Sequence, residues 1–343
     1  MRFLAVVCVV AACGSDHGTI PVDAAPELTL AFDFGPFTLA PSEEITNDCV
    51  QGTLNNDDYV NVNAVELTTA TGFHHSNWFW VPVNTAFYGD DGVFNCSDRG
   101  FNEGVAAIQG GVLFAQSTQA VHEIQSFPPG VVVRIPPHSK IVAGVHLLNA
   151  SDNSLTVPLS LKITPIPDAE VMTALAGISF ENHALGLPPM ANSSFTQECD
   201  IAPLYQQQVG VDPNFNIYYA LGHYHTLGTG LTLEAVRPDG TSTLVYTTQG
   251  RTGDTLGGPV NPIFPVTGYT KLRYTCDYYN PRDVTVGWGV GDQEMCVFLA
   301  FSDASINIGG GQTADVPPGN PTVVNGVMTY SQPCTVFGIP LNQ

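Results

Sequence analysis

Positive charge is scarce in this sequence: ten Lys and Arg stand against 31 Asp and Glu in 343 residues, a formal net charge of −21. Phosphate backbones and anionic headgroups repel such a chain, which argues against a nucleic-acid partner. The acidity serves solubility and calls for no cationic partner. Charged residues of both signs reach only 12%, so Ser, Thr, Asn, Gln and Gly carry most of the polarity. Helical periodicity is nearly missing: only DAEVMTALAG (168–177) reads as a short helix. There is no internal repeat, and beyond the N-terminus no run is long and apolar enough to cross a bilayer. The cysteines never form a CxxC pair, which removes the usual structural zinc site.

What is present begins with MRFLAVVCVVAACGSD. Arg2 supplies a minimal positive start, Phe3 to Val10 an apolar stretch, and Ala11 and Ala12 small residues before Cys13. A run this short followed by small residues is an export signal. Val10-Ala11-Ala12-Cys13 resembles a bacterial lipobox, which implies a lipidated Cys13 and removal of residues 1–12. The plainer alternative is a secretory signal that happens to contain a cysteine. The lipobox reading gives a chain anchored in the cell envelope, periplasmic or surface-displayed, that meets the membrane only through its lipid. Residues 13–27 carry no hydrophobic period and read as a tether. Six cysteines remain (49, 96, 199, 276, 296 and 334), an even number that in an exported chain argues for disulfides, with fifteen pairings open.

At 44% hydrophobic, the chain has enough apolar mass for two domains. Short β signals dominate: VVVRI (131–135), KIVAGVHLL (140–148), LTVPLSLKI (155–163), TSTLVYTT (241–248), TKLRYTC (270–276), VTVGWGV (284–290) and MCVFLAF (295–301). Strands this frequent, separated by Gly, Pro, Asn and Asp, predict an all-β sandwich or barrel. Two prolines in TPIPDAE (164–170) mark the joint, giving domains at 28–166 and 167–343.

The nine histidines are distributed unevenly. In ALGHYHTLG (220–228), His223 and His225 share one face of a strand while Tyr224 points away. A bare H-x-H more often marks a solvated strand face than a metal site. In GFHHSNWFW (72–80), His74 and His75 are adjacent, and a regular strand aims them at opposite faces; one ion can take both only at a bulge, a strand end or a twisted edge. His146 sits alone in the apolar strand VAGVHLLN, where a hydrogen-bonded core histidine is the commoner outcome. Glu294-Met295-Cys296 ends a two-strand segment (273–296), and a regular strand there turns Met295 and Cys296 to opposite faces. Met295 alone reads as core filler. His17, His122, His138 and His183 have no partnered spacing and read as tether, turn or surface residues.

Taken together and in this order, the His-His pair, the strand histidine, the H-x-H-x-x-G and the C…EMC segment resemble the copper type II, ascorbate-dependent monooxygenases, the family of peptidylglycine α-hydroxylating and dopamine β-hydroxylating enzymes. The resemblance runs from about Cys49 to Phe301. It implies two antiparallel jelly-roll-like β-sandwich domains, one copper on each, facing across a solvent-filled cleft. By this likeness His74, His75 and His146 hold an electron-donating copper. His223, His225 and Met295 hold the copper at which dioxygen is activated and a C–H bond hydroxylated. Disulfides Cys49–Cys96, Cys199–Cys334 and Cys276–Cys296 are implied as well, with ascorbate or another one-electron donor as reductant. The family's ligand set is chemically sensible, since imidazole suits both copper oxidation states and a thioether favours Cu(I).

The sequence also departs from the peptide-amidating members. Leu221 stands where they carry a carboxylate-gripping Arg, Val297 and Leu299 replace their substrate-contacting Asn and Tyr, and Gly144 replaces a Gln. These changes speak against peptide amidation and predict an unknown small or apolar substrate. The alternative is a non-catalytic copper-binding or electron-transfer lipoprotein; a purely structural or adhesive β-protein would leave the ordered histidines unexplained.

Overall fold

Strand Leu155–Ile166 shows how the layers form: Val157, Leu159, Leu161 and Ile163 are buried while Thr156, Pro158 and Lys162 between them are exposed. That alternation is the mark of a strand packed on one face, and each buried aliphatic side chain stabilises by about 1.5–3 kcal/mol. Leu155–Ile166 pairs with Leu30–Leu39 on one side and Val60–Thr68 on the other, and the sheet continues through Val131–Ile135. A second sheet has the order Gly92–Asn95, Glu44–Thr53, Ser139–Leu148, Phe73–Pro82, Gly111–Ala115. The computed structural model describes residues 29–85, 87–313 and 316–341. The expected signal peptide, Cys13, the tether and His17 lie outside them.

Ser139–Leu148 is buried along both faces. Ile141, Ala143, Val145 and Leu147 join the core between the two sheets, and Val142 joins a smaller cluster with Phe79, Val81, Phe87 and Ala106. His146 shares the parity of Val142 and Gly144, so it stands on the outer face of the second sheet.

Eleven strands of the C-terminal half form one continuous set wrapped into two layers, beside a two-stranded sheet of Gly186–Leu187 and Val286–Gly287. Val327–Pro340 joins them: residues 327–334 run parallel to Ala191–Asp200, and residues 335–340 run antiparallel to Ile306–Gln312. A long strand that switches layers closes a corner of the sandwich. Both halves are antiparallel sandwiches of jelly-roll type, as expected. Among the described strands three pairs depart from antiparallel: Thr173–Ala174 with Val131–Ile135, Ala176–Asn182 with Ile306–Gln312, and the 327–334 pairing. The first of these is also the one strand pairing that joins residues 30–166 to residues beyond 170.

The helical expectation fails. Residues 168–177 form a 3-10 turn, Asp168–Glu170, and then short strands, because Thr173 and Ala174 find a free edge on Val131–Ile135. Among the described residues two helices form elsewhere. Glu103–Gln109 starts at Asn102, whose side chain accepts from the Val105 N–H, and Ala202–Val209 has Pro203 in its first turn and ends at Gly210 in the left-handed region. Both carry ordinary start and stop signals. The segment 284–290 contributes only the two-residue strand Val286–Gly287, and Met295 and Cys296 precede the strand Val297–Ser302 instead of lying in it.

The disulfides are Cys49–Cys96, Cys199–Cys334 and Cys276–Cys296, the pairs the resemblance implies. Three disulfides indicate folding in an oxidising compartment. No helix among the described residues is long and apolar enough to cross a membrane.

The halves pack through apolar surface. Tyr218, Tyr219, Leu221 and Phe301 of the C-terminal half belong to the N-terminal core cluster, and the Phe127 and Phe301 rings lie 5.2 Å apart. No solvent-filled cleft separates them there.

Candidate metal centre

The adjacent pair His74-His75 meets the condition set for it. Pairing between Phe73–Pro82 and Ser139–Leu148 shifts register between Phe73 and His75: Phe73 faces Leu147, His75 faces His146, and His74 is the extra residue of a bulge. Nδ1 of His74 lies 2.8 Å from Nδ1 of His75. The His146 ring is 4.4 Å from that of His74 and 5.1 Å from that of His75, centroid to centroid.

His223 and His225 converge differently. Strand Asn216–His223 ends at His223, and the His225 ring two residues on lies 5.5 Å from that of His223. A turn follows His225 at once, closed by the Gly228 N–H on the His225 carbonyl at 3.1 Å. Tyr224 points away into the C-terminal core, as expected. The glycine of H-x-H-x-x-G has a local reason: a Cβ on Gly228 would meet the Tyr224 ring at 2.1 Å.

The two sets are contiguous, which overturns the implied separation across a cleft. His75 and His223 rings are 4.8 Å apart, and His74 and His225 rings 5.0 Å. Two trios offer donor atoms that all lie within 4.8 Å of one another: His74, His75, His146, and His75, His223, His225. His75 belongs to both. Four of the five rings are buried and His75 is half-buried.

Surrounding groups fix which ring nitrogens carry protons. Nε2 of His146 donates to Glu44 Oε1 at 2.8 Å, leaving its Nδ1 buried without a partner. Nδ1 of His225 donates to the Gln293 carbonyl at 2.9 Å, leaving its Nε2 buried without a partner. His223 is held by the Gln116 carbonyl, with Thr118 Oγ1 3.3 Å from its Nδ1. A buried lone pair with nothing to accept is costly, and an imidazole held by a carboxylate or carbonyl is how proteins aim a metal ligand. The arrangement fits a soft or borderline cation.

Burial, reinforced by mutual repulsion, holds the imidazoles neutral. It pushes His74 down to about 2 and His223 to about 3, and takes His75 well below the usual range. His146 and His225 are lowered as well, chiefly by burial, with Glu44 and the Gln293 carbonyl opposing. The neutral ring is the form that binds metal.

Met295 is half-buried and its carbonyl accepts from the Tyr278 hydroxyl at 2.5 Å. The chain around it is tied to the histidine turn: Glu294 accepts from the main-chain N–H of His225 at 2.8 Å and of Leu227 at 2.6 Å. Burial pushes the Glu294 carboxyl up to about 7 although both N–H groups favour its charge. A cavity of about 320 Å³ reaches His74 and His225, lined also by Glu44, Arg282, Gln293 and Glu294.

Sequence reasoning missed the supporting residues. Segment 116–118 is polar yet buried, and it bridges the halves: the Gln116 N–H donates to the Ser76 carbonyl, Thr118 Oγ1 donates to the Tyr224 carbonyl at 3.0 Å, and Ser117 Oγ accepts from the Leu256 N–H at 2.8 Å. An uncharged QST run after a strand gives no signal of this role. Glu44 was equally silent, a strand acid among 31 acidic residues. Among the unpartnered histidines, His122 pairs with Glu66 and His183 with Glu181 beneath Trp288, away from the cluster. His138 lies in a turn with positive φ.

No family model and no curated protein matches the chain. Among solved structures it is similar to the major capsid protein P2 from bacteriophage PM2, at 6% identity over 80% of this chain and 97% of that one, with a TM-score of 0.28. It is also similar to PNGase F, a glycosylasparaginase from Flavobacterium meningosepticum, at 9% identity over 90% and 99% with a TM-score of 0.30. A secreted protein from Parabacteroides distasonis gives 9% identity over 80% and 89% with a TM-score of 0.20. Likenesses this distant carry no argument, and none of the three names bears on copper chemistry.

Proposed function

We propose that this chain is an exported copper-dependent monooxygenase that hydroxylates a C–H bond of an unidentified substrate, with dioxygen and a one-electron donor such as ascorbate. The observation that supports it most is the convergence of five imidazoles from both halves, two of them with buried ring nitrogens left unpartnered. His74, His75 and His146 would hold one copper; His223, His225 and Met295 would hold the other. Bound copper supplies one-electron chemistry with dioxygen, and a thioether beside two imidazoles favours its reduced form. In balance, the substrate C–H, dioxygen, two electrons and two protons give the alcohol and water.

The chain's own groups prepare that chemistry. Glu44 and the Gln293 carbonyl fix the proton positions of His146 and His225. The cavity beside His74 and His225 admits a small molecule, and the Arg282 guanidinium at its wall is steadied by the Asp292 carbonyl at 2.7 Å. Leu221, Val297 and Leu299, at the positions that differ from peptide-amidating enzymes, are all apolar: Leu221 and Leu299 pack on the N-terminal core and Val297 is buried. None of the three offers a charge or a hydrogen bond to a peptide carboxylate.

The enclosure of the rings also favours a second reading, an electron-transfer protein that holds copper without hydroxylating. One experiment separates them. Copper-loaded protein is reduced with ascorbate and presented with a substrate panel while oxygen uptake and products are followed. Uptake coupled to a hydroxylated product supports the oxygenase; uptake giving only peroxide supports the second reading. Met295→Ile is expected to abolish hydroxylation while the three-histidine site stays loaded, and retained activity would refute its role. Lipid anchoring at Cys13 predicts retention in the membrane fraction, lost in Cys13→Ser.

A further inference from the structure

If the five histidines hold copper as proposed, their contiguity has a consequence of its own. His75 is the only residue in both donor trios, and without it each trio keeps two histidines. Its ring lies 5.1 Å from His146 on one side and 4.8 Å from His223 on the other. His74 and His225 approach within 5.0 Å on a parallel path, so the sets touch at two places.

We infer that the five imidazoles form one dinuclear copper centre, in which His75 would serve both ions as an imidazolate, its N–H proton released to solvent as the second ion binds, with the ions close enough to interact magnetically, in place of two sites separated by solvent. With metal–nitrogen bonds of about 2 Å, two ions drawing on neighbouring or shared rings are held within about 6 Å of each other. The position of His75 is fixed from both sides: it faces His146 across a strand pair, and segment 116–118 locks the next strand residue, Ser76, to the His223 turn. Two cations this close repel, and carboxylates stand where they offset it: Glu44 on His146, and Glu294 at the shared cavity. The repulsion makes the second ion bind more weakly than the first, and more so for Cu(II) than for Cu(I).

The test is low-temperature electron paramagnetic resonance of the full chain loaded with Cu(II), with spins counted against copper measured independently. The expected result is two coppers per chain with a spin count well below two, or a half-field transition, together with strong dipolar broadening. The paired variant His223→Ala/His225→Ala is expected to hold one copper with one full, sharp spin. Two coppers giving two narrow, non-interacting signals overturn the dinuclear centre and leave the copper reading intact. A single copper in the wild type also overturns it. No retained copper removes both. His75→Ala, its folding checked by circular dichroism, is expected to lose copper at both positions, and a loss confined to one position contradicts the shared role.

Discussion

The two donor sets are built on different foundations. His74, His75 and His146 are held by a ladder: two antiparallel strands fix His75 opposite His146, and one bulge swings His74 into place. His223, His225 and the segment leading to Met295 are held by a strand end, a turn and a buried acid, with Cys276–Cys296 pinning the chain just beyond the methionine. A ladder resists displacement because moving one residue breaks several main-chain hydrogen bonds. A turn tied through a few side chains can adjust its donors. The first set therefore suits a metal whose coordination changes little, and the second suits one that must exchange a ligand.

The contrast can be broken most forcefully at the shared residue. His75→Ala should remove product formation altogether and lower retained copper by more than one ion per chain, measured by metal analysis after dialysis. Next in size are the residues that orient donors. Glu44→Gln should weaken copper at the 74/75/146 set by about 10–100-fold, the usual cost of losing a ligand's hydrogen-bonded partner, and leave the other set nearly unchanged. Glu294→Gln should do the reverse, because it loosens the 225–228 turn; competition with a copper(I) chelator reads both. Equal losses at the two sets in either variant would erase the distinction between ladder and turn.

Proton linkage gives a smaller effect. His74 and His223 have native values near 2 and 3, below the ordinary 6.5, so their contribution to stability is present above about pH 6.5 and is lost as pH falls. With both rings protonated only in the unfolded chain, these two alone should cost metal-free protein about 3 kcal/mol per pH unit below about pH 6, and the three other lowered rings add to that loss. Thermal melts at pH 7 and pH 5, with and without copper, measure it. Glu123 runs the other way. Buried and accepting from Ser117 at 2.6 and 2.7 Å, its carboxyl is pushed up to about 7. Its contribution is full below about pH 4.5 and fades as pH rises through 7, a loss of about 3 kcal/mol that Glu123→Gln should flatten.

Much of this was legible in residue order. The all-β architecture follows from short alternating runs such as Leu155–Ile166, whose pattern the structure repeats residue by residue. The bulge at His74 was foreseeable, because two adjacent side chains cannot share a strand face. So was the shared facing of His223 and His225, with Tyr224 turned the other way; the turn that follows them was not. The strand stops at His223, and the turn at 225–228 depends on Glu294, 69 residues away from His225 in sequence. The contact between the two sets was also invisible: it arises from packing of Leu221, Tyr219 and Phe301 on the N-terminal core, and nothing local to either histidine motif encodes it. The helices at 103–109 and 202–209 were missed for a simpler reason. Each is short, and its Asn or Gly signal looked like the turn residues common throughout the chain.

The most direct test of the copper centre is equilibrium dialysis of the metal-free full chain against buffered copper(I), with bound metal counted per chain. Five converging imidazoles and Met295 predict two ions for the wild type and one for the His223→Ala/His225→Ala variant. A wild type that retains no copper, or no more than a variant lacking all five histidines, would contradict the account.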